Sequence, residues 1–311
     1  MAASQKDVIA SSWNRGYLAV TIYNPPWRAL DENMPLHRPP AVVVMGHGLG
    51  AIQAAGLEPF AVTFSTQGFI AITFDYMCWG ESEGQPRGLL SLSGQLQDWR
   101  GVLSWVRKQP QRFDVNRIVV WGSSLGGIHI TSLLAEDHGL TGGIAQCPCV
   151  DGLKATLKVP LAMSLCLLGH ALYDYFLSCL GLGPHYIATA TDGSRETWPA
   201  VMEGDDTREG WKRTTPESVP FPNKIAARSI FSLMGNRPIL KIHKSVKPYL
   251  IVLPEWDNQA PLDSAEEVVW RAPFGEDFRF RGGHFDLYYN GIAYEENIRA
   301  QLNFLERITS Q

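Results

Sequence analysis

The chain has 311 residues, 45% of them hydrophobic and 19% charged. That is long enough for a large buried core and, at roughly 150 residues per domain, for about two domains. Lys and Arg number 27 against 31 Asp and Glu, for a net charge of −4; this argues against a nucleic-acid binder, which needs clustered cations, and the high apolar content argues against disorder.

The N-terminus, MAASQKDVIASSWNRG, is polar and has no apolar h-region, so no signal peptide is expected. Short all-apolar runs follow, each closed by a turn. They fall at 41–45 (AVVVM), 69–74 (FIAITF), 117–121 (RIVVW), 143–146 and 248–253 (PYLIVL), with a last strand-like run at 277–280. The runs are too short for helices and rich in β-branched residues, which fits strands buried on both faces of a parallel sheet. Helical patterns lie between them at 53–67, 91–109, 125–138, 262–269 and 293–308. Alternation of this kind predicts an α/β fold, a mostly parallel central sheet with helices on both faces.

Residues 151–237 interrupt the rhythm, with no clear buried strand. An apolar helical stretch at 153–182 comes first. A loop-like segment to about 222, rich in Gly, Pro, Thr and charge, comes next, then a helical pattern at 223–234. The simplest reading is a core domain of residues 1–150 and 238–311 with an inserted, mainly helical cap at 151–237. The apolar run 161–182 contains His170 and Asp174, so a buried or half-exposed helix is expected there and no membrane span. Five cysteines, Cys78, Cys147, Cys149, Cys166 and Cys179, are too few and too unevenly spaced for a disulfide scaffold. Buried free thiols and a reducing compartment, the cytoplasm, are expected.

The sharpest chemical signal is Gly122-Ser123-Ser124-Leu125-Gly126, a G-x-S-x-G between a predicted strand and a predicted helix. Its glycines allow a sharp strand-to-helix turn that holds Ser124 at the sheet edge with its hydroxyl exposed; Ser123 points elsewhere. A serine hydroxyl needs a base to become a nucleophile. His284, in the loop between the last strand and last helix, is the best placed, with His47 as runner-up. His129 and His138 sit too far along the helix after Ser124. The third member orients the imidazole. Asp257, in PEWDNQAP, gives the order Ser124, Asp257, His284. Asp151 competes for that role and is otherwise a candidate substrate-binding residue, and Glu255 is a third choice. The backbone N–H groups of Leu49 and Leu125 are the expected oxyanion donors. Asp75 reads as a loop brace and Trp79 as a pocket-lining residue. No dinucleotide fingerprint, phosphate loop or metal-ligand spacing is present, so neither a cofactor nor a metal is expected.

GHGLG at 46–50, FDYMCWGESEG at 74–84, GSSLGG at 122–127, EWDNQAP at 255–261 and GGHFDLY at 282–288 resemble the motifs of the α/β-hydrolase fold family. CPCVDGL at 147–153, the 198–210 region and FPNKIAARSIFSLMGNRPI at 221–239 are similar to a dienelactone-hydrolase-like or acetyl-esterase-like branch. That branch includes polyketide transferases and hydrolases of fungal secondary metabolism. The resemblance implies serine-dependent transfer or hydrolysis of an acyl ester or thioester, with a small-molecule acyl partner that could ride on a carrier or coenzyme A. Use of the same pocket for cyclisation or carbon–carbon chemistry is an alternative, and a non-catalytic ligand-binding protein is another. The intact triad argues against both. Position 124 is Ser, so a dehalogenase, which needs Asp there, is excluded. The oligomeric state is open, a homodimer included.

Overall fold

The computed structural model describes residues 3–26, 39–191, 193–204, 206–215, 217 and 223–310. Eight strands form one sheet: β1 (Ala3–Ala10), β2 (Tyr17–Asn24), β3 (Val42–Gly46), β4 (Ile70–Phe74), β5 (Ile118–Ser123), β6 (Gly142–Gln146), β10 (Tyr249–Pro254) and β11 (Gly275–Phe280). Their order is β1-β2-β4-β3-β5-β6-β10-β11. From β4 to β11 every pairing is parallel. Every residue of β3, β4, β5, β6 and β10 is buried. That explains their largely apolar sequences, since helices cover both faces. These helices are α1 (Glu58–Thr66), α2 (Leu92–Arg107), α3 (Gly126–Glu136), α8 (Leu262–Arg271) and α9 (Tyr294–Thr309).

The first two strands were not expected. β1 and β2 pair antiparallel with each other, and β2 pairs antiparallel with β4. β1 is an edge strand with exposed Ser4, Gln5 and Lys6, and its polar alternation gives no apolar run to read. α1 also starts five residues later than the 53–67 pattern, because the chain before it is a turn.

Between β6 and β10 the chain leaves the large sheet. The apolar stretch 153–182 is two helices, α4 (Gly152–Lys158) and α5 (Leu161–Cys179). Pro160 divides them: it forces Val159 to an extended ψ of 131° and cannot continue a helix. The segment read as loop-like holds β7 (Tyr186–Ala190), β8 (Ala200–Met202) and α6 (Thr207–Thr214), and the 223–234 pattern is β9 (Ile225–Ala226), a short 3₁₀ turn and α7 (Ile230–Met234). β8, β7 and β9 make a small second sheet. These strands run only two to five residues, too short for a period to show. Residues 216 and 218–222 of the loop-like segment, and with them the start of the 221–239 motif, lie outside the described residues.

Two sequence expectations need correction here. α5 was expected to be buried or half exposed, yet Leu161, Leu165, Leu172 and Phe176 are each more than half exposed. By length and composition alone, α5 is also apolar enough to cross a membrane. The five cysteines are all free, but Cys166 is half-buried and Cys179 exposed because both lie on this helix.

Candidate active site

Four loops leave the C-terminal ends of neighbouring parallel strands, the edge where open α/β sheets place ligands. Ser124 follows β5 and has φ +54°, a left-handed backbone that costs a non-glycine residue roughly 1–2 kcal/mol. Hydrogen bonds hold the turn. The Ser124 N–H donates to the Gln146 carbonyl, and the Ser124 carbonyl accepts from the N–H groups of Gly127 and Cys149. Close approach explains the flanking glycines. A Cβ at Gly122 would lie 2.7 Å from the Gly126 carbonyl oxygen, and one at Gly48 would lie 2.8 Å from the Ser124 Cβ.

The three residues singled out by motif and order come together. The His284 Nε2 is 3.0 Å from the Ser124 Oγ. Its Nδ1 is 2.8 and 3.0 Å from the two Asp257 carboxylate oxygens. Asp257 is fixed in turn by the N–H groups of Gln259 and Ala260, both at 2.8 Å. With Asp257 accepting at Nδ1–H, Nε2 is the free acceptor that faces the serine hydroxyl. Burial opposes the charged imidazole most strongly, but the charges of Asp257 and Cys147 and the hydrogen bonds to them together outweigh it and hold His284 well above its ordinary value. A general base must be neutral. The kcat/KM of any acyl substrate should therefore climb with pH along a limb centred above 6.5; a pH–rate profile whose limb lies at or below that value would contradict this arrangement.

His47 is not a second base. Its Nδ1 donates to the Gly48 carbonyl at 3.1 Å, and burial depresses it to about 4, so it stays neutral. Asp75 braces the adjoining loops by accepting from the N–H groups of Gln53 and Glu81, and burial raises it to about 6. His129 bonds to Gln95, His138 is exposed, and Ser123 turns into a buried cluster with Tyr288 and Gln146. Among the described residues, no group of three or more His, Cys, Asp or Glu is placed to hold a metal ion.

Two candidates lie elsewhere. Asp151 is fully buried and caps α4, accepting from the N–H groups of Leu153 and Lys154 and from the Arg237 guanidinium at 2.9–3.1 Å. It thus ties residue 151 to residue 237, at the two ends of the stretch that leaves the large sheet, while the carboxylate on His284 is that of Asp257. The Trp79 indole donates to the Leu89 carbonyl and lines a separate cavity with Gln53 and Asp75, because the loop after β4 curls away from Ser124.

Ser124 opens on two unequal spaces. One is an apolar cavity of about 260 Å³ bounded by Leu49, Leu125, Leu165, Val201, Ile230 and Leu233. The other, about 30 Å³, lies beside His284, Trp211, Phe285 and Tyr288. Met202 borders both. Sequence reasoning missed Met202, Trp211 and Leu233. Nothing in their spacing marks them, since the inserted segment's own fold brings them to Ser124.

The model of the serine aminopeptidase S33 family matches residues 37–179. The quorum-quenching protein AidA of Acinetobacter baumannii is 34% identical over 86% of both chains. The polyketide transferase claH of Penicillium crustosum is 32% identical over 70% of this chain and 71% of its own. The chain belongs to the α/β-hydrolase family, in the branch that includes fungal polyketide transferases. The fold agrees: the α/β hydrolase GrgF from Penicillium sp. sh18 superposes with a TM-score of 0.80 at 19% identity, covering 99% of this chain and all of that one. As a member of the family, the chain is a hydrolase-type enzyme, of hydrolysis or acyl transfer in general.

Proposed function

We propose that this α/β-hydrolase transfers or hydrolyses an apolar acyl group of polyketide type, held as an ester or thioester, through an acyl-enzyme on Ser124. The observation that carries the reading is the Ser124–His284–Asp257 chain at the mouth of the apolar cavity. The Ser124 Oγ attacks the carbonyl carbon while the His284 Nε2 takes its proton. The N–H groups of Leu49 and Leu125 hold the oxyanion, each contributing about 3 kcal/mol. The intermediate expels the alcohol or thiol, which His284 protonates, and leaves an ester on Ser124. A water or an alcohol, deprotonated by His284, then releases the acyl group. Asp257 keeps the imidazole in the productive tautomer and stabilises its cation.

Residues 151–237 act as the cap of a core made by 1–150 and 238–311. The apolar cavity of about 260 Å³ is the space that takes the acyl chain. The leaving group stays outside, so a carrier or coenzyme A thioester fits the same route. The free thiols support a cytoplasmic setting. A second reading, a part in quorum quenching, is supported by the match to the quorum-quenching protein AidA over most of both chains.

A fluorophosphonate probe tests the acyl-enzyme: mass spectrometry should find the phosphonyl adduct on Ser124, and a folded protein that stays unlabelled would rule the reading out. The cavity has its own test. Leu233→Trp should raise KM for long-chain acyl esters at least tenfold through overpacking, while acetyl esters are spared. Equal loss on both would show that the acyl chain lies elsewhere.

A further inference from the structure

The acyl chemistry leaves most of one face of α5 unused, since only Leu165 and Leu168 of that face line the apolar cavity. Its inward side is Leu167, Ala171 and Asp174. About a third of a turn round from it, Leu161, Leu165, Leu168, Leu172, Tyr175 and Cys179 follow at intervals of four, three, four, three and four residues. All six are exposed, Leu161 to 75% and Tyr175 to 56%. Phe176 and Leu180 extend the exposed arc. An amphipathic helix on a lone protein turns its apolar side inward; this helix turns one outward as well, with the alternating spacing of a knobs-into-holes seam. Gly169 stands within the exposed face, where an added Cβ would meet nothing within 4 Å. Glycine weakens a helix relative to alanine, and nothing described in the protomer asks for it; the close approach of another backbone would.

We propose that this face binds a second copy of the chain, α5 against α5 across a two-fold axis. Such an interface is self-complementary, so one apolar seam serves both partners. The area suffices. Seven large apolar side chains of this face stand exposed between 161 and 180, and at roughly 100 Å² each they approach the roughly 800 Å² per partner of a stable dimer. A lipid surface fits less well. Residues 159–182 contain no Lys or Arg, whereas helices that lie on membranes carry cations on their polar side. A chain of net charge −4 also gains nothing from anionic headgroups.

The dimer would bear on catalysis. Leu165 belongs both to this face and to the wall of the apolar cavity, so a second copy closes the rim and keeps water from the acyl group, favouring transfer over hydrolysis. This consequence rests on the acyl reading above; the association itself does not.

Sedimentation velocity on the full chain is the test. The wild type should run at twice the chain mass. Leu172→Glu combined with Phe176→Glu should run at the single mass, with an unchanged circular dichroism spectrum. Leu161→Lys alone is a milder variant and should weaken the dimer roughly tenfold or more. A Ser124→Ala protein should dimerise like the wild type, which separates this proposal from the acyl-enzyme. A wild type that stays at single mass at high concentration overturns it, as does a dimer that survives both α5 variants. A monomer that floats with phosphatidylcholine vesicles would overturn it too and assign the face to lipid.

Discussion

Ser124→Ala should lower kcat/KM by roughly ten-thousandfold or more on every ester or thioester that the wild type turns over. The change deletes one oxygen, the one 3.0 Å from the His284 Nε2. It leaves the Cβ, the backbone hydrogen bonds of the turn and the His284–Asp257 pair in place. The melting temperature should therefore hold, and so should the KM of substrates whose binding equilibrates before chemistry. The rate that survives should exceed the uncatalysed one if the proposed oxyanion donors, the Leu49 and Leu125 N–H groups, still hold the carbonyl. Steady-state kinetics with thermal melts on the same preparation check both halves. Full turnover by the alanine variant would remove Ser124 from the mechanism.

The second large effect separates the two aspartates. Asp257→Asn should cut kcat by roughly ten-thousandfold with little change in fold. The amide occupies the same space, and its oxygen can still accept from Gln259 and Ala260. Its nitrogen, however, donates toward Nδ1 and drives the proton to Nε2, where it faces the serine it should be accepting from. Asp151→Asn should do the opposite. Its carboxylate is buried against Arg237 and the start of α4, so the melting temperature should fall while kcat stays near wild type. Measured side by side, kcat and melting temperature should move in opposite members of the pair. If Asp151→Asn proves the catalytically dead variant, the triad acid has been misassigned.

The reason one aspartate was legible and the other ambiguous is local. Asp257 is preceded by a six-residue apolar strand and followed by Pro261, so its position at a strand end can be read from neighbours alone. Asp151 also follows a strand, and from the sequence it has equal access to the edge. Its true partner, Arg237, lies at the far end of an insertion whose path no pattern reveals. Ser124 and His284 were legible for the same reason as Asp257: a glycine-bracketed turn at a strand end must occur there, whatever surrounds it. The five fully buried parallel strands announced themselves through short, largely apolar runs. β1 and β2 did not, since an edge strand and its neighbour carry polar residues on the solvent side. Trp79 looked like a pocket residue because its loop starts at the right edge of the sheet; only the way the loop curls back to Leu89 takes it elsewhere. Met202, Trp211 and Leu233 come from three separate elements of the insertion, and their meeting at Ser124 is a property of tertiary packing, with no trace in periodicity.

The smaller space beside Ser124, about 30 Å³, has room for one or two water molecules. Whatever attacks the acyl-enzyme has to stand close to His284, among Trp211, Phe285 and Tyr288, with Met202 at the boundary. Water fits as things are, whereas a bulky alcohol must push side chains aside. The ratio of free acid to transferred product, followed over a series of alcohols of rising bulk, would then serve as a ruler. It would measure how far the wall around the catalytic histidine can give, and at which size of acceptor the enzyme changes from a hydrolase into a transferase.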